Sequence, residues 1–105
     1  MIVSGGLNIY SREVEDALEA HPGVNEAAVL PVPDAEFGES VFAYVTFQAG
    51  ACATEDELIA HCRERIASYK KPKYIREIDV LPRNSTGKIV KVALRERAAK
   101  ELTDA

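Results

Sequence analysis

Hydrophobic positions alternate in some stretches of the chain and recur with helical spacing in others, and these two rhythms predict its elements. Met1, Ile2 and Val3 form a short strand that runs into Ser4-Gly5-Gly6. Ser11 is placed to cap a helix in which Val14, Ala17 and Leu18 fall at i, i+3 and i+4 on one face. Glu13 and Glu15 suit its positive N-terminus, and His21-Pro22-Gly23 ends it. Val24 to Val32 is a strand closed by Pro31 and Pro33, followed by a turn from Asp34 to Glu39 centred on Gly38. In Ser40 to Gln48, Val41, Ala43, Val45 and Phe47 face one side while Phe42, Tyr44 and Thr46 face the other. That composition predicts a central strand covered on both faces. Thr54 and Glu57 form a capping box for a second helix. Its stripe is Leu58, Ile59, Cys62, Ile66 and Tyr69, and Pro72 stops it. Ile75 to Val80 is a third strand, Arg83 to Gly87 a polar loop, and a last helix runs from about Val90 to Leu102. The order predicts an α+β domain, with a small sheet and helices packed on it.

Composition narrows the classes. At 105 residues the chain has room for one domain, since domains average roughly 150 residues. Its 47% hydrophobic and 29% charged residues are those of a soluble globular protein. A net charge of −4 argues against a nucleic-acid binder, which holds phosphates with basic patches. No apolar run approaches the roughly 20 residues needed to span a bilayer, and no signal peptide is visible. Two cysteines are too few for a disulfide framework, so the expected compartment is a reducing cytoplasm. The chain opens inside a motif, which suggests a piece of a longer protein. A domain this small has little room for a deep cavity, so elaborate chemistry needs a partner surface.

Two loops combine flexibility with reactive groups. In Ser4-Gly5-Gly6-Leu7-Asn8-Ile9-Tyr10, paired glycines let another molecule approach the backbone, or simply make a tight turn. In Pro82-Arg83-Asn84-Ser85-Thr86-Gly87-Lys88, small and polar residues present an ammonium on a long stem. This second loop is not a P-loop: Pro82 and Ile89 stand where that motif needs Gly and Ser or Thr. The alternative is a solvated surface lysine. Lys70, Lys71 and Lys73 form a basic patch suited to a phosphate or to a hydrated helix end. Cys52, His61, Cys62 and His21 lack the spacing of a zinc module, and no metal site is expected.

Taken together, the loops resemble a known family. Ser4 to Glu15 is similar to the loop–helix motif that opens the C-terminal domain of adenylate-forming enzymes, and Leu81 to Ile89 resembles their closing lysine motif. Val32 to Glu39 and Ser68 to Lys73 fit between them in the right order. The likeness is strongest to acyl-CoA synthetases, with peptide-synthetase adenylation domains the alternative inside the superfamily. It implies a small, mostly three-stranded sheet with helices packed on it plus a short two-stranded hairpin. The whole chain, 1–105, would then be the mobile C-terminal lid of such an enzyme, lacking the large N-terminal domain that is its partner. The implied reaction joins a carboxylic acid to CoA through an acyl-adenylate, using ATP with Mg2+ and releasing AMP and pyrophosphate. Carried over residue by residue, Lys88 is the adenylation lysine and a possible acetylation target. Ser4, Gly5, Gly6 and Leu7 line the CoA passage, Phe37 and Tyr69 flank the CoA adenine, and Lys71 meets a CoA phosphate. The competing class is a free-standing module that binds a CoA-like or nucleotide ligand, or a protein, without catalysis.

Overall fold

A computed structural model describes residues 1–104. A hairpin of β1 (Ile2–Ser4) and β2 (Leu7–Ile9) leads into α1 (Ser11–Glu19). A long ribbon of β3 (Val24–Asp34) and β4 (Gly38–Phe47) follows, then α2 (Glu55–Arg65) and a 3-10 turn at Ser68–Lys70. β5 (Tyr74–Glu77) and α3 (Lys91–Asp104) complete the chain. None of the helices is long and apolar enough to cross a membrane.

β4 is the centre of the sheet, as its two-sided apolar pattern predicts. β3 pairs along one edge of it antiparallel, and β5 pairs parallel along the other, from Phe42↔Tyr74 to Val45↔Glu77. The hairpin joins through a single pairing, Ser4↔Gly38. The arrangement is therefore three strands plus a two-stranded hairpin. Val41, Ala43 and Val45 of β4 pack into a core with Ile2, Ile9, Val14, Leu18, Leu58 and Cys62, beneath α1 and α2. Phe42 and Tyr44 face the opposite core, with Leu30, Val32, Ile78, Leu81, Leu94 and Ala98, beneath α3. Burying apolar groups on both faces of one strand is what makes so short a chain close-packed.

Several expectations are corrected. Leu7 to Ile9 is a strand, because Gly5 (φ 58°) and Gly6 (φ 82°) are both left-handed and make the two-residue turn that folds a hairpin. Tyr10, not Ser11, occupies the helix cap, with extended backbone and no side-chain cap bond. β3 does not stop at Val32 but runs to Asp34, with Pro31 opposite Val41 and Pro33 opposite Glu39. The reason is that β3 is an edge strand. Ala27 and Val29 send their N–H groups outward, to Glu19 Oε2 at 3.1 Å and Glu15 Oε2 at 2.9 Å. Pro31 and Pro33 continue that outward-facing row, so their missing N–H groups break no ladder. α2 ends at Arg65, where Ile66 turns extended, well before Pro72. Tyr69 therefore leaves the helical stripe and lies 47% exposed on the 3-10 turn. The third strand ends at Glu77, and Ile78 and Leu81 reach the α3 core from the loop beyond it. The Thr54 cap is present, its hydroxyl accepting from the Glu57 N–H at 3.1 Å.

Candidate functional site

The first region lies where three turns meet. Asp34 builds one of them. Its Oδ1 accepts from the N–H groups of Glu36 (2.9 Å) and Phe37 (3.0 Å), and its Oδ2 accepts from the Ser40 hydroxyl and from Lys73 Nζ (3.0 Å). The Ser40 hydroxyl first, with the Phe37 N–H and the Lys73 ammonium, holds this carboxyl far below the usual carboxylate range. The turn so fixed carries Phe37, 44% exposed. Its carbonyl accepts from the Gly5 N–H at 2.9 Å, and Glu39 Oε1 accepts from the Val3 N–H at 2.9 Å. The glycine hairpin is thereby tied to the β3–β4 turn.

Between these turns and the 3-10 segment opens a groove of about 380 Å³. Ser4, Gly5, Leu7, Phe37, Tyr69 and Lys71 line it, joined by Lys73 and Pro72. Six of the seven residues assigned to CoA thus share one surface; Gly6 sits at the hairpin tip just outside the lining. Of the three clustered lysines, two are neutralised within the domain. Lys70 pairs with Glu13 of α1 at 2.8 Å, and Lys73 pairs with Asp34. Both partners hold their lysine's pKa above its ordinary value. Lys71 has no carboxylate partner among the described residues; its ammonium donates to the Ser68 carbonyl at 3.1 Å and lies 3.4 Å from the Ser68 hydroxyl. The groove therefore has aromatic and aliphatic walls and one cation left over. Asp34 and Ser40 were not singled out by sequence, and Lys73 only as one member of the basic patch. The readable signal was an Asp followed at two and three positions by free N–H groups ahead of Gly38, an Asx-turn pattern.

The second region is the Lys88 loop. A bridge between Arg83 and Ile89 closes it, and the Val90 N–H donates to the Pro82 carbonyl at 2.8 Å. Arg83 donates to the Gly87 carbonyl at 2.8 Å and forms an ion pair with Glu26 of β3. Lys88 is exposed and takes part in none of the ion pairs among the described residues. Beyond it, Lys91 Nζ lies 2.7 Å from the Glu15 carboxylate and donates to the Val29 carbonyl at 3.1 Å, which roots α3 on the sheet edge.

The two regions sit at opposite ends of one strand. The groove gathers around Asp34, and the lysine loop is fastened at Glu26. Eight positions of extended chain separate these anchors, roughly 26 Å. The remaining candidates do not assemble. Cys62 is buried, which pushes its thiol up to about 11, and Cys52 is exposed. His21 and His61 stack edge to face with ring centres 5.1 Å apart, and His61 Nε2 lies 2.7 Å from the Ala17 carbonyl.

Residues 13–88 match the family model described as the AMP-binding enzyme C-terminal domain. A Rhodococcus jostii CoA ligase named for a bicyclic (methyl-dioxo-octahydroindenyl)propanoyl group is 48% identical over 96 residues, covering 91% of this chain and 19% of that protein. A sulfoacetate–CoA ligase of Cupriavidus necator is 42% identical over 98 residues, covering 93% of this chain and 19% of its own length. Among solved structures, a Mycobacterium tuberculosis fatty acyl CoA synthetase superposes with a TM-score of 0.89 at 40% identity, over 96% of this chain and 20% of that one. The chain spans about a fifth of the length of the curated relatives it matches.

Proposed function

The chain belongs to the AMP-binding enzyme C-terminal domain family, and from that premise we propose that it is the mobile lid of an acyl-CoA synthetase. The lid closes a larger N-terminal domain over ATP, a carboxylic acid and CoA. The observation that carries this reading is that two of the cations without a carboxylate partner among the described residues stand at opposite ends of the β3–β4 ribbon, Lys88 at one and Lys71 at the other. One rigid body can present only one of these ends to a given cleft, so a reaction that uses both must be divided in time.

In the first half-reaction the acid's carboxylate attacks the α-phosphate of ATP and pyrophosphate departs. Lys88, exposed on a short loop, would meet the carboxylate and phosphate oxygens as charge builds between them. A preorganised donor of this kind is worth about 3 kcal/mol in a closed site. Magnesium would accompany the nucleotide's phosphates, whose oxygens are its usual ligands in such reactions. In the second half-reaction the groove turns inward. The CoA thiolate attacks the acyl carbonyl and AMP leaves. The Gly5-Gly6 backbone lines the pantetheine passage, Phe37 and Tyr69 flank the adenine, and Lys71 meets a phosphate. The relatives' names cover a bicyclic propanoate and sulfoacetate, which fits a lid that serves the chemistry and leaves acid choice to the larger domain. The exposed amine of Lys88 is also open to acetylation, which would remove its charge. Free, exposed Cys52 suits a reducing compartment such as the cytoplasm.

The test is Lys88→Ala in the full-length enzyme. ATP–pyrophosphate exchange should fall about 100- to 1,000-fold, while thioester formation from preformed acyl-adenylate stays within a few-fold. Equal losses in both half-reactions reject the reading. Screening the full-length enzyme against a panel of carboxylic acids identifies the substrate.

A further inference from the structure

Lys88 has an exposed side chain but a tightly held backbone, and every bond that holds it ends on one residue. The Lys88 N–H donates to Asn84 Oδ1 at 3.0 Å, and the Lys88 carbonyl accepts from the Asn84 N–H at 2.9 Å. The same Oδ1 also accepts from the Thr86 N–H at 3.0 Å and the Thr86 hydroxyl at 2.7 Å. The Asn84 carbonyl accepts from the Gly87 N–H at 3.0 Å. Gly87, at φ 85°, allows the chain to double back onto this hub. Arg83, next in sequence, ties the hub to β3 through Glu26 and steadies Gly87 through its carbonyl. The Asn84 amide nitrogen makes no bond among the described residues, so the role lies in the oxygen alone.

We propose that Asn84 is a positioning residue for Lys88, its side-chain oxygen fixing the loop so that the ammonium reaches the reacting oxygens at one place and angle. This rests on the reading of Lys88 given above. The bonds around the hub are exposed, so their loss changes the fold little. What they hold is geometry, and a displacement of about 1 Å at a reacting group costs about 100-fold in rate. Any residue without an acceptor at this point leaves the Lys88 N–H unheld, with only the backbone bond from the Asn84 N–H to the Lys88 carbonyl remaining between the two. Aspartate keeps the acceptor.

The experiment compares Asn84→Ala, Asn84→Asp and Lys88→Ala in the full-length enzyme. For Asn84→Ala, kcat of ATP–pyrophosphate exchange should fall about 10- to 100-fold with KM for ATP within about threefold, thioester formation within about twofold and the melting temperature unchanged. Asn84→Asp should recover most of the exchange rate. Wild-type exchange in Asn84→Ala, equal loss in both half-reactions, or an Asp variant as slow as the Ala variant would each overturn the proposal. If Lys88→Ala abolishes exchange while Asn84→Ala does not, the role of Asn84 falls and that of Lys88 stands. If Lys88→Ala leaves exchange intact, both fall.

Discussion

Glu15 and Lys91 close a 2.7 Å ion pair across the outer edge of β3, and between them they satisfy both backbone groups of Val29. Glu15 Oε2 accepts the N–H, and Lys91 Nζ donates to the carbonyl. One pair thus joins α1, β3 and α3 at the root of the Lys88 loop.

The Glu15 side chain is 9% exposed, so removing it strands the buried Val29 N–H, while the Lys91 ammonium, on a side chain 40% exposed, turns to water. Glu15→Ala should cost about 1–3 kcal/mol in urea unfolding of the 105-residue chain, the cost of one buried donor left without its acceptor. The open Arg12–Asp16 pair, 76% and 58% exposed, supplies the contrast. Asp16→Ala should cost less than about 0.5 kcal/mol. Similar losses in the two variants would show that the edge clamp contributes nothing special.

Lys71 and Lys73 are neighbours with opposite employment. Lys73 is engaged by Asp34, whereas Lys71 has no acid partner among the described residues. In the full-length enzyme, Lys71→Ala should raise KM for CoA about tenfold and leave ATP–pyrophosphate exchange alone, as expected for one lost phosphate contact. An unchanged KM for CoA would remove Lys71 from the groove's function.

Gly6 has φ 82°, and a side chain built there meets nothing within 4 Å in this domain. Gly50, at φ 78°, is equally open but lies in the turn after β4, away from the groove. Replacing either by Leu should carry the same backbone penalty, about 1–2 kcal/mol. Only Gly6→Leu should slow thioester formation, with exchange spared. Slowing by both variants would mean that the effect is lost stability.

Asp34 gives the fold a defined acid response. Its folded pKa lies below the ordinary 3.8, so the stabilisation it provides is complete above that value. It is lost as pH falls toward the folded value. The urea midpoint of the wild-type chain should therefore drop more steeply below about pH 4 than that of Asp34→Asn. Parallel curves for the two proteins would show that the turn does not depend on this charge.

The sequence made the β4 pattern, the Thr54 cap and the α1 and α3 faces legible, because each is a local rhythm of apolar side chains or a single capping hydroxyl. The boundaries that failed were set by distant partners. Whether Pro33 ends a strand depends on whether anything pairs on its outer side. Where α2 stops depends on the extended turn at Ile66, not on the proline beyond it. At the site, Lys88, Phe37 and Lys71 were readable through motif resemblance. Which lysine of the cluster stays unneutralised was not, since Glu13 and Asp34 approach from other elements. Asn84 read as one polar loop residue among several until its oxygen was seen to gather three donors.

A lid of the kind proposed above, parting repeatedly from its neighbour, would show its flank to every other protein in solution. An open strand margin would then invite β-addition by another chain and, at high concentration, aggregation. Along β3 that invitation is withdrawn residue by residue: Glu19 and Glu15 occupy the first two outward donors, and two prolines offer none. A margin covered in this way keeps that side of the domain from becoming adhesive.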